Sequence, residues 1–277
     1  MRWKQFFTPA TSMSTTEAKT FMADKAQEDF NLIDVRQPKE YEARHLPGSK
    51  LIPIAELDKH LDEIDPSKPT LVYCAVGGRS RVAAQMLSGK GFDNVINMAG
   101  GIKAWEGQVA VGPEDMGLEL LTGQESIEET LVAAYSLEAG LRDFYLSMIA
   151  KVQAPDIKTL FQKLADIELL HQDRIFSEYL QVSEKQVNRE TFDKDVVAQA
   201  VEGGLTTDEY IQLYQPDWNS AVDVISLAMS IEAQALDLYT RASERSNDPR
   251  SKDALHKIAE EERVHLQQLG KLMDNRI

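Results

Sequence analysis

Cysteine is nearly absent from the chain: of 277 residues, one, Cys74, is a thiol. That excludes an intramolecular disulfide and any Cys-rich zinc or iron-sulfur site built from this chain alone, and it suits a reducing compartment. Long apolar runs are missing too. No stretch reaches the roughly 18 uncharged apolar residues that a membrane-crossing helix needs, and MRWKQFFTPATSMSTTEAK at the start lacks the apolar centre of a secretory signal. These absences predict a cytoplasmic protein with no membrane partner. Basic charge is also short, 30 Lys and Arg against 45 Asp and Glu, for a formal charge of -15. The shortage is local: residues 1–110 hold 14 basic and 14 acidic residues, leaving 16 and 31 for the rest. Such an acidic block repels nucleic acid and anionic lipid. Its carboxylates are either a solvated, self-repelling surface or, in part, ligands for cations.

The length suits two domains. From Ser14 to Trp105, short apolar runs alternate with helical stretches, which predicts an α/β domain with a parallel sheet over 1–110. NLIDV (31–35), TLVYC (70–74) and NVINM (94–98) have the form of buried strands, and Ser80 to Gly89 reads as a helix with Val82, Ala83, Met86 and Leu87 on one side. Gly, Pro and acidic residues without a period mark a linker, 111–125. From 126 to 277 the apolar spacing becomes helical and predicts an all-α four-helix bundle, with helices near 127–152, 156–180, 220–246 and 249–274 and a long connection, 181–219. An internal repeat organises that bundle: SLEAGLRDFY (136–145) matches SIEAQALDLY (230–239), and Pro155, Lys158, Ala165, Glu168 and His171 match Pro249, Lys252, Ala259, Glu262 and His265, all at a separation of 94.

Cys74 ends a strand and is followed by Ala75, Val76, Gly77, Gly78, Arg79 and Ser80, after which a helix begins. Such a loop can turn its backbone N–H groups inward, and the helix N-terminus adds a positive dipole end. A thiol in that cradle is drawn toward thiolate. Arg79 offers a fork of donors to an anionic substrate, and Arg81 adds field nearby. A lone cysteine at a strand end can equally be a small buried apolar residue. The surrounding residues decide between these readings. LIDVR (32–36), Glu40-Tyr41, His45-Leu46-Pro47-Gly48-Ser49, YCAVGGRS (73–80), GFDNV (91–95) and GGIKAW (100–105) resemble the rhodanese family in its order. The resemblance implies that Cys74 takes sulfane sulfur from thiosulfate or another small donor, holds it as a persulfide and passes it to a thiol or cyanide-like acceptor. The six-residue loop from Cys74 to Arg79 has the length associated with sulfur transfer rather than phosphatase action. Asp34, Arg36 and His45 match family positions read here as structural.

Stepping by three and four along the fourth long helix gives Leu255, Ile258, Glu262, His265, Leu269 and Leu272. The second gives Phe161, Leu164, Glu168, His171 and Ile175, and the first and third place Glu138 and Glu232 on otherwise apolar seams. Four carboxylates and two imidazoles in a bundle core need counter-ions, because unpaired buried charge is expensive. Two divalent ions balance them, and oxygen-rich ligation with one His per metal suits iron or manganese better than zinc or copper. Tyr145 and Tyr239, seven residues after their Glu, are core aromatics or hydrogen-bond partners of the ligands. His60 and His256 read as exposed, and the repeated pair Asp143 and Asp237 falls off the ligand face. Residues 126–275 resemble rubrerythrin-type members of the ferritin-like superfamily. The resemblance implies iron ligands Glu138, Glu168, His171, Glu232, Glu262 and His265, with Glu168 and Glu262 bridging and manganese or zinc as substitutes. It also implies a homodimer, an unknown electron donor and reaction with oxygen or peroxide; iron storage beside a sulfur-carrying first domain is the alternative. Two departures stand out: Ala235 occupies a place where rubrerythrins commonly carry a further carboxylate, and no four-cysteine rubredoxin module is present.

Overall fold

Short β-branched and aliphatic runs become a parallel sheet in the first part of the chain, and the amphipathic repeat becomes long helices in the second. The computed structural model describes residues 10–184, 187–193 and 204–274. The chain divides after Glu114 into two compact units.

The first unit is a five-stranded sheet of β1 (Thr11–Met13), β2 (Asn31–Asp34), β3 (Lys50–Leu51), β4 (Thr70–Tyr73) and β5 (Val95–Met98). The spatial order is β1-β5-β4-β2-β3, with every neighbouring pair parallel. Alternate residues feed opposite faces. Ile33, Val72 and Cys74 pack in one apolar cluster, while Leu32, Leu71, Tyr73, Ile96 and Met98 pack in another. β1 and β3 were not among the expected strands; at three and two residues they are too short to show a period.

Three helices accompany the sheet: α1 (Thr15–Ala23), opened by a Ser14–Glu17 capping box, α2 (Pro38–Ala43) and α3 (Gly78–Gly89). α3 buries Ser80, Ala83, Ala84 and Leu87. Val82, expected on that face, is exposed instead, because the inward positions fall at 80, 83–84 and 87. The end of the unit runs back along it, with Ala110 bridging His45 and the Gly112 N–H donating to the Glu42 carbonyl at 2.8 Å.

In the second unit, α4 (Ile127–Lys151) pairs with α5 (Pro155–Val182), and α8 (Ala221–Arg245) pairs with α9 (Pro249–Asp274). The connection between the hairpins includes α6 (Arg189–Phe192) and α7 (Thr207–Tyr214); residues 185–186 and 194–203 of the long connection lie outside the described residues. Ser126 and Glu129 cap α4 reciprocally, and proline opens both α5 and α9. Two apolar clusters fill the bundle. Leu131, Ala134, Ile175, Ala235, Tyr239, Leu255 and Ile258 belong to one; Leu141, Tyr145, Phe161, Leu164, Ile225, Ala228 and Leu269 belong to the other. Helices α4 and α9 run from the first cluster to the second, and α5 and α8 run the opposite way. Much of the expected linker is not free chain: Leu118 and Leu121 are buried in the first of these clusters.

Candidate active sites

β4 delivers Cys74 to the C-terminal edge of the sheet, where ligands bind in open parallel sheets. Gly77, at φ +92°, turns the chain into α3. Its N–H donates to Cys74 Sγ at 3.1 Å, and the Ser80 hydroxyl lies 3.5 Å from the same sulfur. Burial pushes the thiol pKa up, but the Ser80 hydroxyl and the N–H groups of Ser80, Val76 and Gly77 outweigh it and hold Cys74 below its ordinary value. Ala75 is half-buried, Val76 is 61% exposed at the loop tip, and Gly78 opens α3.

Several partners of this loop escaped the sequence reading. The Ser80 hydroxyl, with one proton to share between the sulfur and this second acceptor, lies 2.6 Å from Asn97 Oδ1, and Asn97 Nδ2 donates to Ser12 at 3.0 Å. A buried Asn inside the apolar run VINM was the available signal. The turn after β5 braces the loop from below: the N–H groups of Ile102 and Lys103 donate to the carbonyls of Cys74 and Ala75. Arg79 is engaged by Glu40 of α2, a motif residue whose pairing with the loop the sequence did not announce and which takes both guanidinium donors at 2.7 Å. Arg81 is exposed. Asp34 and Arg36 form a buried pair at 2.6 Å, and His45 stacks on Tyr41; both interactions hold loops of the unit in place.

In the bundle, the seam residues Glu138, Glu168, Glu232 and Glu262 are each at most 1% exposed, and His171 is also buried. They form a polar layer between the two apolar clusters. His171 Nδ1 lies 3.0 Å from Glu138 and 3.1 Å from Glu168, while His265 Nδ1 lies 3.8 Å from Glu232 and 3.7 Å from Glu262. Ligand atoms of Glu138, Glu168 and His171 come within 4.8 Å of one another, as do those of His171, Glu262 and His265. Burial drives the Glu168 carboxyl well above the usual range, with Glu232 and Glu138 adding to the effect. Burial alone would lower His171, but Glu138 and Glu168 lift it to about 11. Glu232 is held low despite burial, through its interactions with Glu262 and His265. Tyr145 and Tyr239 are buried in the flanking apolar clusters, with Tyr145 against Phe144 and Phe161. His60 and His256 are partly buried rather than exposed, and His60 pairs with Glu63.

A family model described as Rhodanese-like domain matches residues 14–108, and one described as Rubrerythrin matches residues 129–273. The chain belongs to both families. Among its relatives is the thiosulfate sulfurtransferase GlpE of Pseudoalteromonas translucida, 36% identical over 29% of this chain and 76% of its own length. Another is YrkF of Bacillus subtilis, named as a candidate sulfur carrier, 36% identical over 30% of this chain; the match spans only 45% of that protein. A solved rhodanese-like domain protein from Staphylococcus aureus is 27% identical, with 36% of this chain and 97% of that one covered at a TM-score of 0.34.

A rubrerythrin domain implies iron, and the donors present fit it. Glu138 Oε1 and Glu168 Oε1 are buried acceptors with no hydrogen-bond partner, and a layer of four carboxylates and two imidazoles is the hard, oxygen-rich set that divalent iron accepts. Among the described residues, no helix of the rhodanese-like or rubrerythrin domain is long and apolar enough to cross a membrane.

Proposed function

We propose that the rhodanese-like domain transfers sulfane sulfur through Cys74, with Arg79 and the backbone from Ala75 to Ser80 receiving the donor. We also propose that Glu138, Glu168, His171, Glu232, Glu262 and His265 of the rubrerythrin domain hold two iron ions. The observation that carries the first half is the donor set converging on Cys74 Sγ, which favours the thiolate. That thiolate attacks the outer sulfur of a donor such as thiosulfate; a Sγ–S bond forms as the donor's S–S bond breaks, and the electron pair leaves with the donor. An acceptor thiolate or cyanide then attacks the outer sulfur of the Cys74 persulfide, and Cys74 leaves as thiolate. Inward N–H groups stabilise the anion at each stage.

In the rubrerythrin domain, the four Glu carboxylates would hold and charge-balance the ions, His171 and His265 would add nitrogen donors, and the apolar clusters on either side limit water. When bound, the iron pair supplies redox chemistry toward dioxygen or peroxide, with electrons from a donor yet to be identified. The reading places the protein in the cytoplasm, which suits a free thiol, and makes it a homodimer.

The rival reading is an iron-binding or storage bundle beside a sulfur-carrying domain. Ala235 favours it, since this buried position on the α8 seam contributes no seventh donor. Thiosulfate-to-cyanide transfer by the full chain should vanish in Cys74→Ser, and its survival would remove Cys74 from the role given it. Peroxide consumption by the iron-loaded protein, lost in Glu168→Ala, is expected for redox catalysis; iron uptake with no consumption in the parent would favour storage.

A further inference from the structure

Between Cys74 and Ser80 the loop carries one cation, Arg79; the other residues are Ala75, Val76, Gly77 and Gly78. Arg79 is the fork that an anionic donor would meet, and its guanidinium responds to the Cys74 sulfur as well as to Glu40, which acts on it most strongly. Yet both of its outer nitrogens are engaged by the two Glu40 oxygens at 2.7 Å. Glu40 is fixed in turn. It is the third residue of α2, and its Oε2 also accepts the Gln37 N–H at the start of that helix. The pair is a third exposed, so a substrate can reach it. A dianion entering the cradle must therefore displace a carboxylate that already has the geometry of a bidentate oxyanion ligand. Arg79 also holds the Glu40 carboxyl down at about 2, so the competing charge persists through neutral pH.

We propose that Glu40 is a specificity residue of the Cys74 site: it neutralises Arg79 and turns the site from dianionic inorganic donors toward the persulfide of an organic thiol. The inference rests on Cys74 being the sulfur acceptor. In the favoured step, the Cys74 thiolate attacks the outer sulfur of R–S–SH, giving Cys74–S–SH while R–S⁻ leaves with the electron pair of the broken S–S bond. No oxyanion needs to be matched. The apolar loop rim at Ala75 and the exposed Val76 suits an organic body better than a sulfonate-like head.

The test compares the full-length parent and Glu40→Gln with thiosulfate and with glutathione persulfide as donors. Gln keeps the shape of Glu and an acceptor for the Gln37 N–H, so folding is preserved and checked by the denaturation midpoint. The ratio of kcat/KM for thiosulfate to that for persulfide should rise about tenfold in Glu40→Gln, mainly through a lower KM for thiosulfate. A ratio that stays level or falls overturns the proposal. A second readout needs no turnover: inorganic sulfate should protect Cys74 from iodoacetamide at about tenfold lower concentration in Glu40→Gln. If neither donor is used by the parent, the sulfur-transfer reading fails. The sulfate titration still decides the role of Glu40, and equal protection in the two proteins overturns it.

Discussion

The imidazole of His171 lies parallel to that of His265, with ring centroids 4.2 Å apart, planes 8° apart and Nε2 atoms 3.0 Å apart. The two residues occupy the same place in the two copies of the repeat, so the paired hairpins meet at their histidines. Around this contact each copy contributes two buried carboxylates. The bundle therefore concentrates titratable groups in the layer where an ordinary bundle would place Leu or Ile.

Under the proposed ligand assignment, iron in that layer would offset the charge of its buried carboxylates, and any ligand that binds only the folded state stabilises it. Stripping metal from the full chain should lower the melting temperature of the rubrerythrin domain by about 10 °C, and reloading with ferrous iron should restore it. Differential scanning calorimetry reads both steps. Equal transitions with and without metal would count against these residues as ligands.

Cys74 should show its lowered pKa in its alkylation rate. The thiolate is the reactive form, so a thiol whose pKa is lowered keeps more thiolate at pH 7. Ser80→Ala removes a hydroxyl 3.5 Å from the sulfur that favours the charged form. The midpoint of the iodoacetamide rate profile should move up, and alkylation at pH 7 should slow about fivefold. A midpoint that stays put would mean that the backbone donors alone set the thiol.

The four long helices were legible because a repeat of 94 residues displays the same apolar seam twice, and a Glu or His on that seam stands out against Leu and Ile. Strands β2, β4 and β5 were legible as compact apolar runs. Contacts between residues far apart in sequence left no such trace. Glu40 meets Arg79 across 39 residues, and Arg241 reaches the Met116 carbonyl across 125. No period or motif encodes those distances. The Gly100-Gly101 pair was visible only as part of the GGIKAW motif, and its real constraint is the backbone it touches.

Gly101 sits at φ +58°, and a Cβ on it would come within 2.2 Å of the Cys74 carbonyl oxygen and 2.6 Å of the Ala75 carbonyl carbon. Both are backbone atoms of the cradle, which cannot step aside without moving the sulfur. Gly101→Ala should therefore reduce sulfur transfer by about a hundredfold and destabilise the rhodanese-like domain by about 2 kcal/mol. Transfer assays together with urea denaturation test both effects. Activity near the parent level would show that the turn does not brace the loop.

Asp143 and Asp237 are matched by the repeat, but the structure gives them different roles. Asp143 is exposed on α4, whereas Asp237 is fully buried on α8 and takes the Arg241 Nε–H at 2.8 Å, with Arg241 passing a second donor to the Met116 carbonyl at 3.0 Å. This pair tethers the segment ahead of α4 to the bundle. Breaking a buried ion pair leaves the surviving charge without its counter-ion, so Asp237→Ala should destabilise the rubrerythrin domain by about 3 kcal/mol. The same change at exposed Asp143 should cost about 0.5 kcal/mol or less. Guanidinium denaturation of the two variants compares repeat mates that sequence alone cannot tell apart. Equal losses would mean that burial of the Asp237–Arg241 pair contributes nothing to the domain's stability.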